Sequence, residues 1–311
     1  MSYEVTTSFQ REYTDAFMIL YQQLSPYLRS AVRNETQSGE EKFWDFIGRT
    51  SAIKNRARGS KTQHISTPHS RRRCTLNSYT WSDTTSDLDK IQMMKDPNSD
   101  YLKVGVGAIH RGGDEELLAA MGGTAYAGKG GTVAINNYDV GESRLIDADG
   151  AVVAAGSDHS DTTQTAITIA KLATCGELLD DASVPQEGRY ITMNPYNKWQ
   201  LLQDTTIGSD DYNKIKTMYA GEITNFMGFQ FIFMPTERFT VNATDTAAIE
   251  CYAWQRDAVL LATAKEVTTK VDPLPDENYD IQAFAEAFYG ATRLQGPGVI
   301  EILLQTASGT T

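Results

Sequence analysis

Residues 46–82 carry eight basic side chains and no acidic one, in a chain that is acidic elsewhere. The eight are Arg49, Lys54, Arg56, Arg58, Lys61, Arg71, Arg72 and Arg73. The segment is poor in large apolar residues, and Gly59 and Pro68 interrupt it, so it cannot build a hydrophobic core of its own. The sequence therefore predicts an extended, projecting loop, a β-hairpin whose flanks near 52–53 and 73–81 pair as strands.

The charge of this segment contrasts with that of the remaining chain. Without its eight basic residues, the total of 28 falls to 20, against 40 acidic residues, which is a formal charge of −20. Three interpretations are open: the segment binds nucleic-acid phosphates, forms a solvated face, or lies on an acidic surface of another copy. The acidic body favours the third interpretation. The net charge of −12 argues against a dedicated nucleic-acid binder.

The totals of the chain suit a folded protein without membrane or disulfide chemistry. Its 311 residues, 41% of them hydrophobic, are enough for one large or two medium domains. Cys74, Cys175 and Cys251 are widely separated and form no CxxC pair, which predicts buried thiols in a reducing cytoplasm, with neither zinc nor disulfides. The polar N-terminus resembles no signal peptide, and no apolar run approaches about 18 residues, so we expect no membrane partner.

Two helices are predicted in the first half of the chain. Residues 8–33 carry an apolar stripe at four-residue spacing, ended by Pro26, with a polar break at 34–41. Asp96-Pro97 is a good start for a second helix of about 25 residues, ending before Gly122-Gly123. The glycines within this second helix lower its stability. A long helix softened in this way suits a strut that bends between two states.

The second half reads as alternating strands and helices. A hairpin is predicted over 143–155, and 163–234 reads as helix, proline turn, strand, helix, glycine turn and strand, one compact α/β layer. Strands are predicted at 247–254, 258–263, 266–271 and 299–304. Residues 279–294 fit either helix or strand, and their alternation favours a strand.

No motif makes a convincing catalytic, cofactor or metal site. Gly123–Gly130 nearly matches a phosphate-binding loop, but Gly130 replaces the hydroxyl residue and the stretch does not follow a strand. The four histidines show no paired-ligand spacing. The acidic pairs Asp180-Asp181 and Asp210-Asp211 are expected to cap helices or face solvent. We therefore expect no catalytic residues, no cofactor and no metal.

The order of these elements resembles the major capsid proteins of tailed bacteriophages, which have the α+β Hong Kong 97-type fold shared with encapsulins. The stretches that carry the resemblance are Tyr79–Asp83, Asp87–Asp89, Arg111–Ala125, Val184–Pro195, Gly221–Phe229, Trp254–Val259 and Phe288–Ala291. No single one of these stretches is specific for the family. Their order and spacing over nearly the whole chain is specific for it.

The resemblance implies a division of the chain into subdomains. These are an N-terminal arm at 1–45, an E-loop at 46–82, a peripheral domain at 83–154 with its spine helix at about 97–122, an axial domain at 155–250, and a return to the peripheral domain at 251–311. The family's E-loop lies over a neighbouring subunit. The residues expected to make that intersubunit contact are Arg56, Arg58, Lys61, Arg71, Arg72 and Arg73.

The resemblance also implies partners. We expect hexamers and pentamers of the chain to close into an icosahedral shell around double-stranded DNA, held without sequence specificity. A portal and a separate scaffolding protein are expected, and a decoration protein is a further option. The protein is expected in the virion, after assembly in the host bacterial cytoplasm. An encapsulin-like compartment is the alternative, and a nucleotide-using enzyme built on Gly123–Gly130 is a remote one.

Overall fold

The computed structural model describes residues 19–54, 58–62, 64–86, 98–140, 142, 144–154, 157, 165–203, 225–242, 248–277 and 279–306. Its strands are β1 Arg33–Thr36, β2 Glu41–Ile47, β3 His69–Thr75, β4 Asn77–Thr85, β5 Ala125–Ala127, β6 Val133–Ile135, β7 Arg144–Ile146, β8 Arg189–Met193, β9 Asn225–Phe226, β10 Phe229–Phe233, β11 Ala248–Gln255, β12 Val259–Leu274, β13 Asp280–Arg293 and β14 Val299–Gln305. Its helices are α1 Asn98–Gly122, α2 Ile169–Asp181 and α3 Pro195–Gln203. None of these helices is long and apolar enough to span a membrane.

The strands form three sheets, and the chain divides into two compact units. The sheets have the orders β1-β12-β13-β4, β7-β14-β11-β8-β10-β9 and β2-β3-β5-β6. The first unit comprises Met1–Pro26, Ser78–Gly112 and Glu266–Ala287, and the second comprises Tyr27–Asn77, Gly113–Lys265 and Phe288–Thr311. Because the strand content is divided among sheets of mixed direction, the fold is α+β, as expected.

The six-stranded sheet holds the core of the second unit. Its central strands β11 and β14 are buried along nearly their whole length, and they pair antiparallel with Trp254 opposite Val299. The fully buried Trp254 donates from its indole nitrogen to the Ala31 carbonyl, 2.9 Å away. Lys171 of α2 is also buried, and its ammonium donates to the Leu303 carbonyl of β14 at 3.3 Å. A buried polar group is stable only with such partners, so these bonds fix α2 and the 29–31 turn against the sheet.

The first unit is organised by close packing between α1 and β4. A Cβ built on Gly105 would stand 2.3 Å from the Trp81 ring, and one on Gly112 would stand 2.8 Å from the Tyr79 ring. Atoms cannot approach that closely, so only glycine admits the two aromatic rings at these positions. The predicted helix at 97–122 is confirmed as Asn98–Gly122. Its glycines thus have a packing role, and bending of the helix remains a prediction.

The predicted helix at 8–33 is wrong for its described part, residues 19–33. Residues 19–28 are not helical, and a 3-10 turn follows at Arg29–Ala31. Strand β1 starts at Arg33, the last residue of the predicted helix, and continues into the predicted polar break. The backbone amides of Tyr27 and Leu28 donate to the Asp114 carboxylate at 2.9 and 3.1 Å. The Asp114 side chain thus binds two backbone N–H groups that a helix would have used for its own hydrogen bonds. Pro26, directly before them, has no backbone N–H to donate. Residues 8–18 lie outside the described ranges.

Most of the second half follows the prediction. The hairpin at 143–155 is confirmed by the bridge between Ile146 and Val152, with Gly150 at φ +93° in its turn. Residues 279–294, which fit either a helix or a strand, form a strand, β13, as their alternation indicated. The two strands predicted at 258–263 and 266–271 are one continuous strand, β12, which runs from Val259 to Leu274. Within 163–234, the helices α2 and α3 and the strands β8 and β10 are confirmed in order.

Candidate functional site

The basic segment forms a hairpin, but its strands pair earlier than predicted. Strand β2 pairs antiparallel with β3, from Glu41 opposite Thr75 to Ile47 opposite His69. The predicted strand at 52–53 is therefore wrong, because pairing ends where Gly48 donates to the Pro68 carbonyl. Alternation sets the register, since Trp44 and Cys74 enter one core cluster with Leu260. A strand whose alternate side chains are buried cannot slip by one residue without exposing them.

On the opposite face of this hairpin, two of the predicted contact residues are paired within the chain. Arg71 donates to the Asp45 carboxylate at 2.8 Å, and its guanidinium lies 5.4 Å from the Phe43 ring centre. Arg73 donates to the Glu41 carboxylate at 2.8 Å and lies 4.9 Å from the Tyr126 ring centre. Each arginine thus has an ion pair and a cation–π contact with its neighbours in the sheet.

Arg72 points the other way and is buried. Its guanidinium forms an ion pair with Glu142 at 2.5 Å, and its exposed fraction is only 9%. Arg293 of β13 lies on the same carboxylate, with its Nε 3.8 Å from Glu142 Oε2. Burial lowers the pKa of Arg293, and the nearby Glu142 charge opposes that shift. One carboxylate thus serves two buried guanidinium groups, which places Arg72 in the interior of the subunit.

Arg293 also completes the end of helix α1. Its Nη1 donates to the carbonyls of Met121 and Gly123, at 2.8 and 3.0 Å. The last carbonyls of a helix have no partner inside the helix, and a cation there also matches the negative end of the helix dipole. Buried as it is, this end depends on Arg293 for its hydrogen bonds.

Residues 49–67 form the loop between the paired strands, and the structure describes 49–54, 58–62 and 64–67 of it. Its described residues are all exposed apart from Ser60, which is half-buried. We call residues 49–67 the distal loop. Among the predicted contact residues, Arg58 and Lys61 lie here with exposed side chains, and Arg56 lies outside the described residues. The apolar side chains of Ile53 and Ile65 are 49% and 45% exposed.

Arg49 fixes the start of the distal loop, a role that no sequence pattern indicates. Its guanidinium donates to the Ala182 carbonyl at 2.6 Å, at the C-terminal end of helix α2. Helix α2 carries Asp180 and Asp181 in its last turn and no basic residue there. A cation at this end is favourable for the helix dipole. Asp180 and Asp181 are predicted to cap helices or face solvent, and both are exposed at the helix end, where Asp180 also pairs with Arg189 at 2.6 Å. The pair Asp210-Asp211 lies outside the described residues.

The near match to a phosphate-binding loop leads into a β-hairpin, and the three cysteines are buried. Gly123–Gly130 enters the β5–β6 hairpin, in which Ala125 pairs with Ile135, so it is not the strand-to-helix loop that binds phosphates. Across the described ranges, no group of three or more His, Cys, Asp or Glu side chains is placed to hold a metal ion. Burial raises the pKa of Cys74 and of Cys175 to about 12, and that of Cys251 further. These thiols are protonated and unreactive at neutral pH.

Sequence reasoning found the basic residues but missed their acidic partners. Glu41 and Asp45 could have been found, because strand pairing places residues of opposite charge across from arginines. Glu142 could not, since it lies 70 positions from Arg72 in the chain and no local pattern marks it. Strand alternation places the half-buried Arg71 and Arg73 on one face of β3 and the buried Arg72 on the other.

Comparison with known proteins assigns this architecture to a family. The family model described as phage capsid protein matches residues 5–305. The capsid of Cyanophage P-SCSP1u has a TM-score of 0.72 at 15% identity, covering 100% of this chain and 96% of that one. Mycobacterium phage Che8 gives 0.68 at 15% identity, with coverages of 96% and 98%. The acidic stable capsid of Helicobacter pylori bacteriophage KHP30 gives 0.68 at 11% identity, with coverages of 98% and 99%.

These structural likenesses concern the fold, since the identities are low. No curated protein matches the chain by sequence. The expected α+β fold of phage capsid proteins is confirmed along the whole chain, while its division into arm, E-loop, peripheral and axial domains remains a prediction. The family model spans nearly every residue of the chain. The chain therefore belongs to the phage capsid protein family and is a bacteriophage capsid protein.

Proposed function

We propose that this chain is the major capsid protein of a tailed bacteriophage and that its distal loop joins neighbouring copies. In this proposal the copies form hexamers and pentamers of an icosahedral shell that encloses double-stranded DNA. The chain acts as a structural protein without catalytic activity, and it assembles in the cytoplasm of the host bacterium. A portal, a separate scaffolding protein and a decoration protein belong to the same proposal and rest on family membership.

The observation that carries the proposal is the exposure of the distal loop. A long loop without secondary structure of its own is uncommon in a compact domain unless it binds something. Here the basic residues Arg49, Lys54, Arg58 and Lys61 and the apolar residues Ile53 and Ile65 are all exposed. A self-assembling protein offers one partner at high local concentration, which is another copy of itself. The acidic character of the rest of the chain supports such a contact through charge.

In this proposal, Arg71, Arg72 and Arg73 contribute less to the intersubunit contact than Arg58 and Lys61 do. Arg71, Arg72 and Arg73 all form ion pairs inside their own chain. Replacing the three together would alter folding as well as any contact between subunits. We therefore propose that Arg58 and Lys61 make the main contact with the neighbouring subunit. Arg71 and Arg73 make a smaller contribution to the same contact.

Electron microscopy of the purified protein, with a scaffolding protein co-expressed where the phage encodes one, tests the proposal. Hexameric capsomers or closed shells are the expected result. An Arg58→Glu, Lys61→Glu variant should fold but assemble poorly, whereas Lys198→Glu, Lys103→Glu, with the same change of charge on two helices, serves as the control. Wild-type protein that stays monomeric under all assembly conditions would overturn the proposed function.

A further inference from the structure

A cavity of about 400 Å³ lies beside the C-terminal end of helix α2. Its wall is formed by the turn after α2, by the first residue of the distal loop, by β7 and by the turn that precedes β14. All of its lining residues belong to the second unit. Sites for small ligands have volumes of about 300–1,000 Å³, so the cavity is large enough to hold one. The chemistry of its wall therefore decides what it can bind.

Two exposed arginines line the cavity. Arg144 of β7 is exposed, and no ion pair links it to an acidic side chain among the described residues. Arg49 donates to the Ala182 carbonyl at 2.6 Å, and its planar guanidinium carries further N–H groups beyond the one used there. Such a fork of donors matches the two oxygens of a carboxylate.

The acidic groups of the wall do not cancel this positive charge. Glu142 also lines the cavity, but the guanidinium groups of Arg72 and Arg293 already neutralise it. Asp181, the last residue of α2, is exposed and has no ion pair within the described ranges. One free carboxylate thus stands against two arginines. The cavity is positively charged in a chain whose formal net charge is −12, which favours an anionic ligand.

The remaining wall suits a peptide better than a bare anion. The exposed Gln295 adds a side-chain amide, which can both donate to and accept from a peptide backbone. Pro185 and Pro297 are exposed and give the wall rigid apolar surface. The Oε2 atom of Glu142 is buried and accepts no hydrogen bond within the described chain. A ligand that offers N–H groups as well as a carboxylate therefore matches this wall.

The turn on one side of the cavity is held in a fixed shape. Ser183 follows α2 with φ +58°, and its amide donates to the Asp180 carbonyl at 2.9 Å. The amide of Val184 donates to the Leu179 carbonyl at 3.0 Å. These two bonds form the motif that commonly ends a helix, in which glycine is the usual left-handed residue. A wall fixed in this way loses little conformational freedom when a ligand binds.

We infer that this cavity binds an extended peptide segment that carries a carboxylate side chain. The carboxylate pairs with Arg144 and Arg49, while the peptide backbone bonds to Gln295 and lies along the two prolines. This inference goes beyond the proposed function, because it gives the subunit a binding site separate from the contact assigned to Arg58 and Lys61. The binding can be measured on unassembled subunits, so it does not depend on shell formation.

Titration calorimetry with capped peptides tests the class of ligand. The probe is a tetrapeptide with two central glutamates between alanines, titrated into the full-length, unassembled subunit at low salt. It should bind at least about tenfold more tightly than counterparts with glutamine or lysine in place of glutamate, and less tightly as salt is added. Absence of binding by the acidic probe, or equal binding by the glutamine peptide, overturns the inference.

A free dicarboxylate separates peptide recognition from simple anion binding. Glutarate has two carboxylates and no N–H group, so it should bind more weakly than the acidic probe. If glutarate binds as tightly, the cavity holds an adventitious anion only, and the inference fails. Tighter binding by the lysine peptide would show that the charge of the cavity is the reverse of the one described, which also overturns it.

Substitutions on the two sides of the cavity should change affinity in opposite directions. Arg144→Ala should weaken binding of the acidic probe by roughly tenfold, because a charge-assisted hydrogen bond is lost. Asp181→Asn should strengthen it by about threefold, because a repelling charge is removed. Arg49→Gln should also weaken it, while keeping a donor for the Ala182 carbonyl. Arg58→Ala is the matched control, since it removes an exposed arginine that does not line the cavity.

An affinity that is unchanged in Arg144→Ala, or lowered in Asp181→Asn, overturns the inference. Both side chains are exposed and lack an ion pair among the described residues, so the variants should fold, and thermal unfolding of each variant checks this. Electron microscopy of wild-type assembly tests the proposed function separately. Shells that form from a subunit without affinity for the acidic probe would leave that function intact and refute the peptide site alone.

Discussion

Gly105 of helix α1 lies against the indole of Trp81, so closely that a Cβ at this position would stand 2.3 Å from Cε3 of the ring. Gly112, two turns further along the helix, meets Tyr79 in the same way, with 2.8 Å to Cδ1. Both rings come from β4. The two glycines therefore form notches in the surface of α1 that fix the position of β4 along the helix.

Replacing Gly105 or Gly112 with Ala should lower the stability of the subunit, although Ala favours helix. Forcing a methyl group into a packed contact costs about 1–3 kcal/mol, which exceeds the gain in helix propensity of about 1 kcal/mol. Chemical unfolding of the unassembled subunit measures the difference. Gly176→Ala in α2 is the control, because no heavy atom lies within 4 Å of a Cβ there. An equal gain in stability for all three variants would refute the packing explanation.

Arg72→Ala should destabilise the subunit far more than Arg71→Ala. Removing Arg72 leaves the Glu142 carboxylate buried beside Arg293 alone, and breaking a buried pair costs about 3–5 kcal/mol. The Arg71 pair is more exposed, and pairs of that kind contribute about 1 kcal/mol or less. Urea unfolding of the two variants compares them directly. Similar losses would mean that Arg72 is not held inside the subunit as described.

Stability should fall at acid pH partly through Glu35. A hydrogen bond from the Trp44 indole, 2.7 Å long, is the main cause that lowers the pKa of Glu35 below its ordinary 4.5, and Arg33 and Lys42 add to it. Because the folded pKa is the lower one, the carboxylate stabilises the fold fully above 4.5 and loses this effect as the pH falls through the folded value.

The Glu35→Gln variant checks this sign. It should be less stable than wild type at neutral pH, and the difference in unfolding free energy should shrink as the solution is acidified. Glu40→Gln removes an exposed carboxylate nearby and serves for comparison. A difference that stays constant, or grows, on acidification would contradict the assignment.

The three cysteines should not react with thiol reagents in the folded subunit. All three are buried, and burial raises their pKa far above neutral, to about 12 for Cys74 and Cys175. A chromogenic disulfide reagent at pH 8 should label none of them quickly until denaturant is added, when all three react. Rapid labelling of one thiol in the folded protein would show that its site opens to solvent.

Local patterns in the sequence were enough for the long elements. The spacing of Tyr101, Val104 and Ile109 predicts α1, and the alternation around Ala283, Ala285 and Ala287 favours β13, which the structure confirms. Both patterns record which side of an element is buried, and that is decided within the element itself. The acid-free run similarly predicts a hairpin, because charge and low apolar content keep it out of a core.

The features of the fold that could not be predicted from the sequence depend on residues far apart in the chain. The burial of Arg72 requires Glu142 and Arg293, and the helix predicted around residue 27 is lost because Asp114 binds its amides. The low helix propensity of the glycines in α1 predicts bending, because propensity is a local property. Their packing role could not be predicted, because the rings that need them belong to β4. For the candidate site, the charge was evident but the division between paired arginines and an exposed distal loop was not.

The place of β14 has a consequence for synthesis on the ribosome. This strand, Val299–Gln305, lies between β7 and β11, and Arg293, which completes the end of α1, comes shortly before it. A stretch that is translated after α1, β7 and β11 therefore supplies an interior strand of the six-stranded sheet and the hydrogen bonds that complete the end of α1. A chain released before residue 305 has no finished core. We expect such prematurely terminated products to be removed by proteolysis, so translation through β14 is a requirement for a stable subunit.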